Sequence, residues 1–319
     1  MRGEAFFGDD NAKSLLPHYF VPCVIQPAVV YWRGKKELRR AFFGRSGRMD
    51  SMDCKLSVYS LPRSGMTPLQ ALDYTHEMGL RGCEFLFLES APLPTPAEAE
   101  AWRARAQALG IVIPNISIGV NLCADDGGQA LEMLKAYARI AKILGAPSMM
   151  HTLYPRPAPA HGSPEEGALM ARAVSRVRAL WDYCASIGIA ETLEEQGLVF
   201  NGCARFSQVL CQVERPVGVV LDAGNPAFVG EDALHVLERF GPRITHVHLK
   251  DYTLAADGAA PRPRNLGEGD MRVRELLQGL CARGYTGWFS LECVKISDFD
   301  AEEARNIAWA RAALAGMQG

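Results

Sequence analysis

Four positions in the second half of the sequence carry side chains that could do chemistry together. They are Glu194, Asp222, His248 and Glu292, separated by 28, 26 and 44 residues. Each sits at or near the end of a short, mostly apolar run: Leu193-Glu194-Glu195-Gln196-Gly197, Val220-Leu221-Asp222-Ala223-Gly224-Asn225, His246-Val247-His248-Leu249-Lys250-Asp251, and Ser290-Leu291-Glu292-Cys293. Taken singly, a carboxylate at a strand end is most often a helix cap or an ion-pair partner. A lone histidine in an apolar strand is most often a satisfied core residue. Three carboxylates and one imidazole gathered from four successive strands have another use. An oxygen-rich set with one nitrogen suits Mn²⁺ first, with Mg²⁺, Co²⁺ or Zn²⁺ as alternatives, and not a thiolate-type structural zinc. Such an ion polarises a carbonyl, and carboxylates beside it can remove and return a proton on the adjoining carbon.

The elements that must position these residues follow from the pattern upstream and downstream of them. From Met52 onward, apolar runs of four to eight residues alternate with longer amphipathic stretches. The runs are Lys55–Leu61, Gly82–Leu88, Ile111–Ile118, Ser148–Leu153, Ile189–Glu194, Val217–Asp222, Ile244–His248 and Gly287–Glu292. Helices are expected near Thr67–Met78, Thr95–Leu109, Gly128–Leu144, Pro164–Ile187, Cys203–Glu214, Glu231–Phe240, Arg272–Arg283 and Ala301–Ala315. The Thr-Pro pairs at 67–68 and 95–96 are helix-start signals. Eight strand–helix units over residues 52–319 predict an α/β protein, a single (β/α)₈ TIM barrel with chemistry at the C-terminal strand ends. A doubly wound open sheet is the competing fold, but the first turn carries no G-x-G-x-x-G fingerprint.

Residues 1–51 do not share this pattern. They hold nine basic and five acidic residues, against a net charge of −2 for the 319-residue chain. The apolar stretch Leu15–Trp32 is broken by Pro17, Pro22 and Pro27, which excludes a membrane helix, and its basic residues follow it, unlike those of a signal peptide. The segment is expected to be a poorly ordered N-terminal extension, or to precede a true start at Met49 or Met52. A basic interaction arm is the less favoured alternative. The overall charge also argues against nucleic acid as a partner. Nine cysteines, an odd number with no C-x-x-C pair, read as reduced buried thiols of a cytoplasmic protein.

With these motifs in place, residues 52–319 resemble the xylose isomerase-like barrels of the sugar phosphate isomerase/epimerase group. Leu266-Gly267-Glu268-Gly269-Asp270 and Gly284-Tyr285-Thr286-Gly287-Trp288-Phe289-Ser290-Leu291-Glu292 complete the likeness. The resemblance implies Glu194, Asp222, His248 and Glu292 as divalent-metal ligands, with Glu194 and Glu292 also serving as the acid/base pair. It implies an isomerase or epimerase acting on a sugar, sugar phosphate or related hydroxy-carbonyl compound through an enediolate. The alternative is a dehydratase of the inosose or dehydroshikimate type. The chain departs from the family in two places. Glu195-Gln196 stands where Asn-His is common, and Asn225 stands where ketose 3-epimerases carry a histidine.

Further residues are expected around the substrate. His151, at the end of the fourth run, either meets a substrate oxygen or is a buried structural histidine. Asn225 can donate to a substrate oxygen without carrying charge. Lys250 opens the loop after the seventh strand. Arg262, Arg264 and Lys295 are positive residues near the expected mouth; they read as surface charges or as a grip on a phosphate or carboxylate. His246 shares the strand face of His248 and is expected to support it from one layer deeper. Glu84, on the second run, is a weaker candidate. An endonuclease IV-type enzyme would need additional histidines that strands two and three lack, and a metal-free binding barrel would be indifferent to chelators. The expected partner is a small carbohydrate-like molecule, with no membrane contact and with a homo-oligomer left open.

Overall fold

The computed structural model describes residues 55–60, 66–153, 159–160, 162–196, 202–255, 260–293 and 299–317. The chain divides into two units, Met1–Met49 and Asp50–Gly319. The expected extension, residues 1–51, lies outside the described residues, as does Lys295.

Local signals set the alternation of elements. Strands β1 (Leu56–Ser60), β2 (Gly82–Leu88), β3 (Ile116–Gly119) and β4 (Ser148–His151) alternate with helices α1 (Pro68–Glu77), α2 (Pro96–Leu109), α3 (Gln129–Leu144) and α4 (Pro164–Ile187). Then follow β5 (Ala190–Glu194), α5 (Cys203–Val213), β6 (Gly218–Asp222), α6 (Ala233–Phe240) and β7 (Ile244–Leu249). A short pair, β8 (Asp251–Thr253) and β9 (Arg262–Arg264), precedes α7 (Val273–Ala282), β10 (Trp288–Leu291) and α8 (Phe299–Ala315). Thr67 and Thr95 open α1 and α2 as N-caps, each in a reciprocal capping box, with Gln70 and Glu98 respectively. Each box satisfies amide groups that the first helical turn leaves unpaired.

The eight long-range strands close into an all-parallel barrel in the order β1-β10-β7-β6-β5-β4-β3-β2. The helices follow the strands as crossovers, as a parallel sheet requires. Register then decides which side chains share the interior, because directly paired residues on parallel strands face the same way. Leu193, Leu221, Val247, Phe289 and Leu291 belong to the buried layer beneath the helices. The alternate set, Ser57, Glu84, Ser117, Glu194, Asp222, His246, His248 and Ser290, points into the barrel, and every member is buried. The interior of such barrels is ordinarily filled by branched apolar residues. Here seven of the eight strands each contribute a polar side chain to it.

Two expectations about elements are corrected. The third run was expected to be strand from Ile111, but the barrel strand starts at Ile116, and Val112 makes only an isolated bridge to Gly82. Pro114 lies between them and has no N–H for a ladder. The loop after β7 carries the antiparallel β8–β9 pair, which joins Asp251 to Arg264 and Thr253 to Arg262.

Candidate metal and active site

The site is built as a ladder along β7. His246, His248 and Lys250 are spaced by two, so all three face the barrel interior at successive heights. Each meets carboxylates at its own level.

At the lowest level His246 Nε2 lies 2.7 Å from Glu84 Oε2. The Glu84 carboxylate is fully buried and receives donors on both oxygens. Asn115 Nδ2 donates to Oε1 at 2.7 Å and Ser117 Oγ at 2.5 Å, while the Ser290 hydroxyl donates to Oε2. Burial alone would raise this carboxyl, but the His246 and His248 rings outweigh it and hold it well below the usual range. A carboxylate with this many donors stays charged.

At the middle level His248 is gripped from both ring nitrogens. Nε2 lies 3.2 Å from Glu84 Oε1, and Nδ1 lies 2.7 Å from Glu194 Oε1 and 3.1 Å from Glu292 Oε2. Burial opposes a charge on this ring, yet Glu84, Glu194 and Glu292 together push it well above an ordinary histidine. The Tyr59 ring packs against it, 4.7 Å between centroids.

At the rim Lys250 Nζ lies 2.9 Å from Asp222 Oδ2 and 3.1 Å from Glu292 Oε1. Burial pushes Asp222 up, against the pull of Lys250 and with the push of Glu292 and Glu194. Burial would do the same to Glu292, but Lys250 and His248 hold it low. Asp222 divides its two oxygens between tasks. Oδ1 accepts the N–H groups of Gly224 and Asn225 at 2.7 and 2.6 Å, whereas Oδ2 accepts no hydrogen bond and faces Lys250 and His248. Gly224 is required here, because a Cβ would come within 2.4 Å of the Tyr252 ring.

Glu194, Asp222, His248 and Glu292 thus each bring a ligand atom within 4.8 Å of the others. The donor set, with two carboxylate oxygens free of hydrogen bonds, Asp222 Oδ2 and Glu292 Oε2, and one imidazole nitrogen oriented from behind by a carboxylate, fits a divalent ion of the Mn²⁺–Mg²⁺ type. Glu292 is the most exposed of the four, at 14% of its side chain.

The other expected residues separate. Asn225 is buried beside Asp222, and its side-chain amide donates to Glu195 O at 3.4 Å. Lys250 opens the segment after β7, as expected, and its side chain lies inside the cluster. His151 does not join it. It pairs in register with Leu193 and Ile118 on the outward face, and its Nε2 lies 2.8 Å from buried Glu191. The expectation that it meets substrate gives way to that of a structural histidine. Arg262 and Arg264 are exposed on β9, where Arg264 Nε donates to Thr253 Oγ1 at 2.9 Å. Asp251 has a task of its own, since its carboxylate accepts the N–H groups of Gly267, Gly269 and Met271 at 2.8 to 3.1 Å and folds the Gly267-Glu268-Gly269-Asp270 turn around itself.

Sequence reasoning underrated Glu84 and did not single out its partners Asn115, Ser117 and Ser290. The signal was the two-residue alternation, which puts Glu84 and Ser117 on the same face as the ligands.

A family model described as Xylose isomerase-like TIM barrel matches residues 72–315. The chain belongs to this family. Among curated relatives, it is 32% identical over 91 residues to an inosose dehydratase of Geobacillus thermodenitrificans, covering 24% of this chain and 30% of that protein. It is 25% identical over 175 residues to a fructoselysine 3-epimerase of Escherichia coli O157:H7, covering 52% and 59%. The aligned stretches therefore span less than two thirds of either relative. The barrel also superposes on a xylose isomerase-like TIM barrel protein from Mycobacterium smegmatis, a structure in complex with magnesium. The TM-score is 0.66 at 20% identity, covering 85% of this chain and all of the other. Among the described residues no helix is long and apolar enough to cross a membrane.

Proposed function

We propose that this protein is a divalent-metal-dependent isomerase or epimerase of a sugar, sugar phosphate or related hydroxy-carbonyl compound, working through an enediolate. The observation that carries the proposal is the convergence of Glu194, Asp222, His248 and Glu292 with Lys250 at the C-terminal rim of the barrel. The fructoselysine 3-epimerase relative and the magnesium-containing structural relative support it. A divalent ion held by the four residues supplies Lewis-acid polarisation of a neighbouring carbonyl, with Mn²⁺ the first choice.

The chain's own residues supply the rest. Glu292, ionised beside Lys250 and His248 and the most exposed of the four, is the carboxylate that would accept a proton from the carbon beside the carbonyl. Glu194, from the other side of β6 and β7 in the barrel order, would return a proton on a different carbon or face. Lys250 contributes a fixed positive charge where oxyanion character develops. Glu84 holds the His248 ring so that Nδ1, not Nε2, faces the substrate side.

Dehydration is the second reading, favoured by the inosose dehydratase relative. The test is a screen of sugars, sugar phosphates, inososes and keto acids with Mn²⁺ in D₂O. Solvent deuterium entering at carbon with retention of mass otherwise supports isomerisation or epimerisation. Loss of water shifts the assignment to the dehydratase. No exchange and no turnover with any class, by protein shown to hold the ion, would remove both.

A further inference from the structure

A second group of metal-ligating side chains lies outside this cluster. Cys203, the first residue of α5, Glu231, just ahead of α6, and His235, in its first turn, bring a thiol, a carboxylate oxygen and an imidazole nitrogen within 4.8 Å of one another. The geometry points to a second divalent-cation site here, of thiolate–carboxylate–imidazole type, which clips the start of α5 to the start of α6. The ligand is a borderline-soft ion of the Zn²⁺ class.

The three residues are arranged for this by independent means. Glu231 is fixed by its backbone and side chain: its N–H donates to Pro226 O at 3.0 Å, and its Oε2 accepts the N–H of Cys203 at 2.8 Å. That bond holds the carboxylate against the base of α5. His235 lies one helical turn further on, with Nδ1 3.9 Å from the same carboxylate. This is too long for a hydrogen bond and wide enough for an ion to bridge. Cys203 is buried, whereas the His235 side chain is 56% exposed and free to turn toward the ion. Sulfur, nitrogen and oxygen together select zinc over the harder ions that suit the barrel rim, and three protein ligands leave one position for water.

The electrostatics agree with the geometry. Glu195 is buried, and neither of its oxygens accepts a hydrogen bond from another residue. Burial, with the charges of Glu231 and Glu195, disfavours a bare thiolate at Cys203, despite Arg239 nearby. A cation reverses that balance. On binding, the Cys203 S–H bond breaks, its electron pair forms the sulfur–metal bond, and the proton passes to solvent. Because α5 and α6 follow β5 and β6, the clip would join the segments that succeed Glu194 and Asp222. The site does not rest on the proposed reaction.

The experiment uses the full-length protein, stripped with a chelator and titrated with Co²⁺ as a spectroscopic stand-in for Zn²⁺. The expected result is a near-ultraviolet thiolate-to-cobalt charge-transfer band, proton release, and about two Zn²⁺ bound per chain at saturation. Cys203→Ser should abolish the band and His235→Ala should weaken it, each leaving about one ion bound at the barrel rim. His235 is half-exposed, so its substitution tests the site even if the cysteine variant folds poorly. Absence of the band in the wild-type protein, or a band that survives both substitutions, would overturn the proposal.

Discussion

Replacing Glu84 with glutamine should separate the barrel's polar interior from an ordinary buried ion pair. The carboxylate takes donors from Asn115, Ser117 and His248 on one oxygen and from His246 and Ser290 on the other. Glutamine retains one carbonyl oxygen but turns an NH₂ toward the remaining donors and removes the charge that both rings face. Breaking a fully buried, hydrogen-bonded charge pair costs about 3–5 kcal/mol. For a domain of this size about 2 °C per kcal/mol is appropriate, so Tm should fall by about 6–10 °C. The loss should depend on pH in a defined sense. Glu84 is held below its ordinary value, so its contribution is complete above the unfolded carboxyl value of about 4.3 and disappears as pH falls toward its folded one. The gap between wild type and Glu84→Gln, followed by calorimetry, should therefore narrow as pH falls below about 4. His248 also loses the carboxylate behind Nε2, which should weaken Mn²⁺ binding by about 10–100-fold in isothermal titration. A Tm within about a degree of wild type, with unchanged Mn²⁺ affinity, would refute the assignment of Glu84 as the anchor of the site.

Three further outcomes follow from the same geometry and a fourth from the sequence. Glu194→Gln and Glu292→Gln should each lower turnover by at least about 10²-fold; the variant lacking the proton-abstracting residue should lose solvent deuterium exchange, while the other retains part of it. His151→Leu strands the buried Glu191 carboxyl and should lower Tm by about 2–6 °C, with Mn²⁺ affinity unchanged; weakened metal binding at constant stability would return His151 to the site. Gly269→Ala places a methyl group 2.3 Å from Asp251 Oδ1 and 2.5 Å from Tyr252 O, and should cost about 1–3 kcal/mol in denaturant unfolding. A chain starting at Met52 should keep the Tm and metal stoichiometry of the full protein; a loss of several degrees or of solubility would show that residues 1–51 pack on the barrel.

The alternation of elements was legible from the apolar runs and, in part of the chain, from local signals: Thr67 and Thr95 as caps followed by proline, and Gly110, Gly145 and Gly188 at helix ends. The four converging residues were legible because each ends, or nearly ends, an apolar run. What failed to show was phase. His151 ends β4 just as Glu194 ends β5, yet Met150, not His151, pairs with inward-facing Thr192. A step of one residue moves a strand side chain to the opposite face, and no local pattern in Ser148-Met149-Met150-His151 reveals which face is which. Lys250 was expected to open the loop after the seventh strand, and it does follow the last residue of β7; it also continues the two-residue phase of His246 and His248 into the cluster. The β8–β9 pair depends on Asp251 capturing amides 16 to 20 residues away, an interaction with no short-range signature.

The balance of charge inside the barrel links these features. Four carboxylates, Glu84, Glu194, Asp222 and Glu292, face His246, His248 and Lys250 in a space where every one of them is largely withdrawn from water. Glu84 is answered by the two imidazoles beneath the rim. Lys250 answers Asp222 and Glu292 together, which leaves Glu194 dependent on the proton at His248 Nδ1. That proton also faces Glu292, so one ring carries charge for three carboxylates at once. In a medium of low dielectric such an excess is costly unless it is met by cations. A divalent ion held by Glu194, Asp222, His248 and Glu292 would supply two positive charges in place of the single Nδ1 proton, and Nε2 would keep its Glu84 partner. The buried floor and the rim are therefore one electrostatic unit: stability and metal affinity should fall together when Glu84 is changed, and stability alone should fall when Glu191 or His151 is.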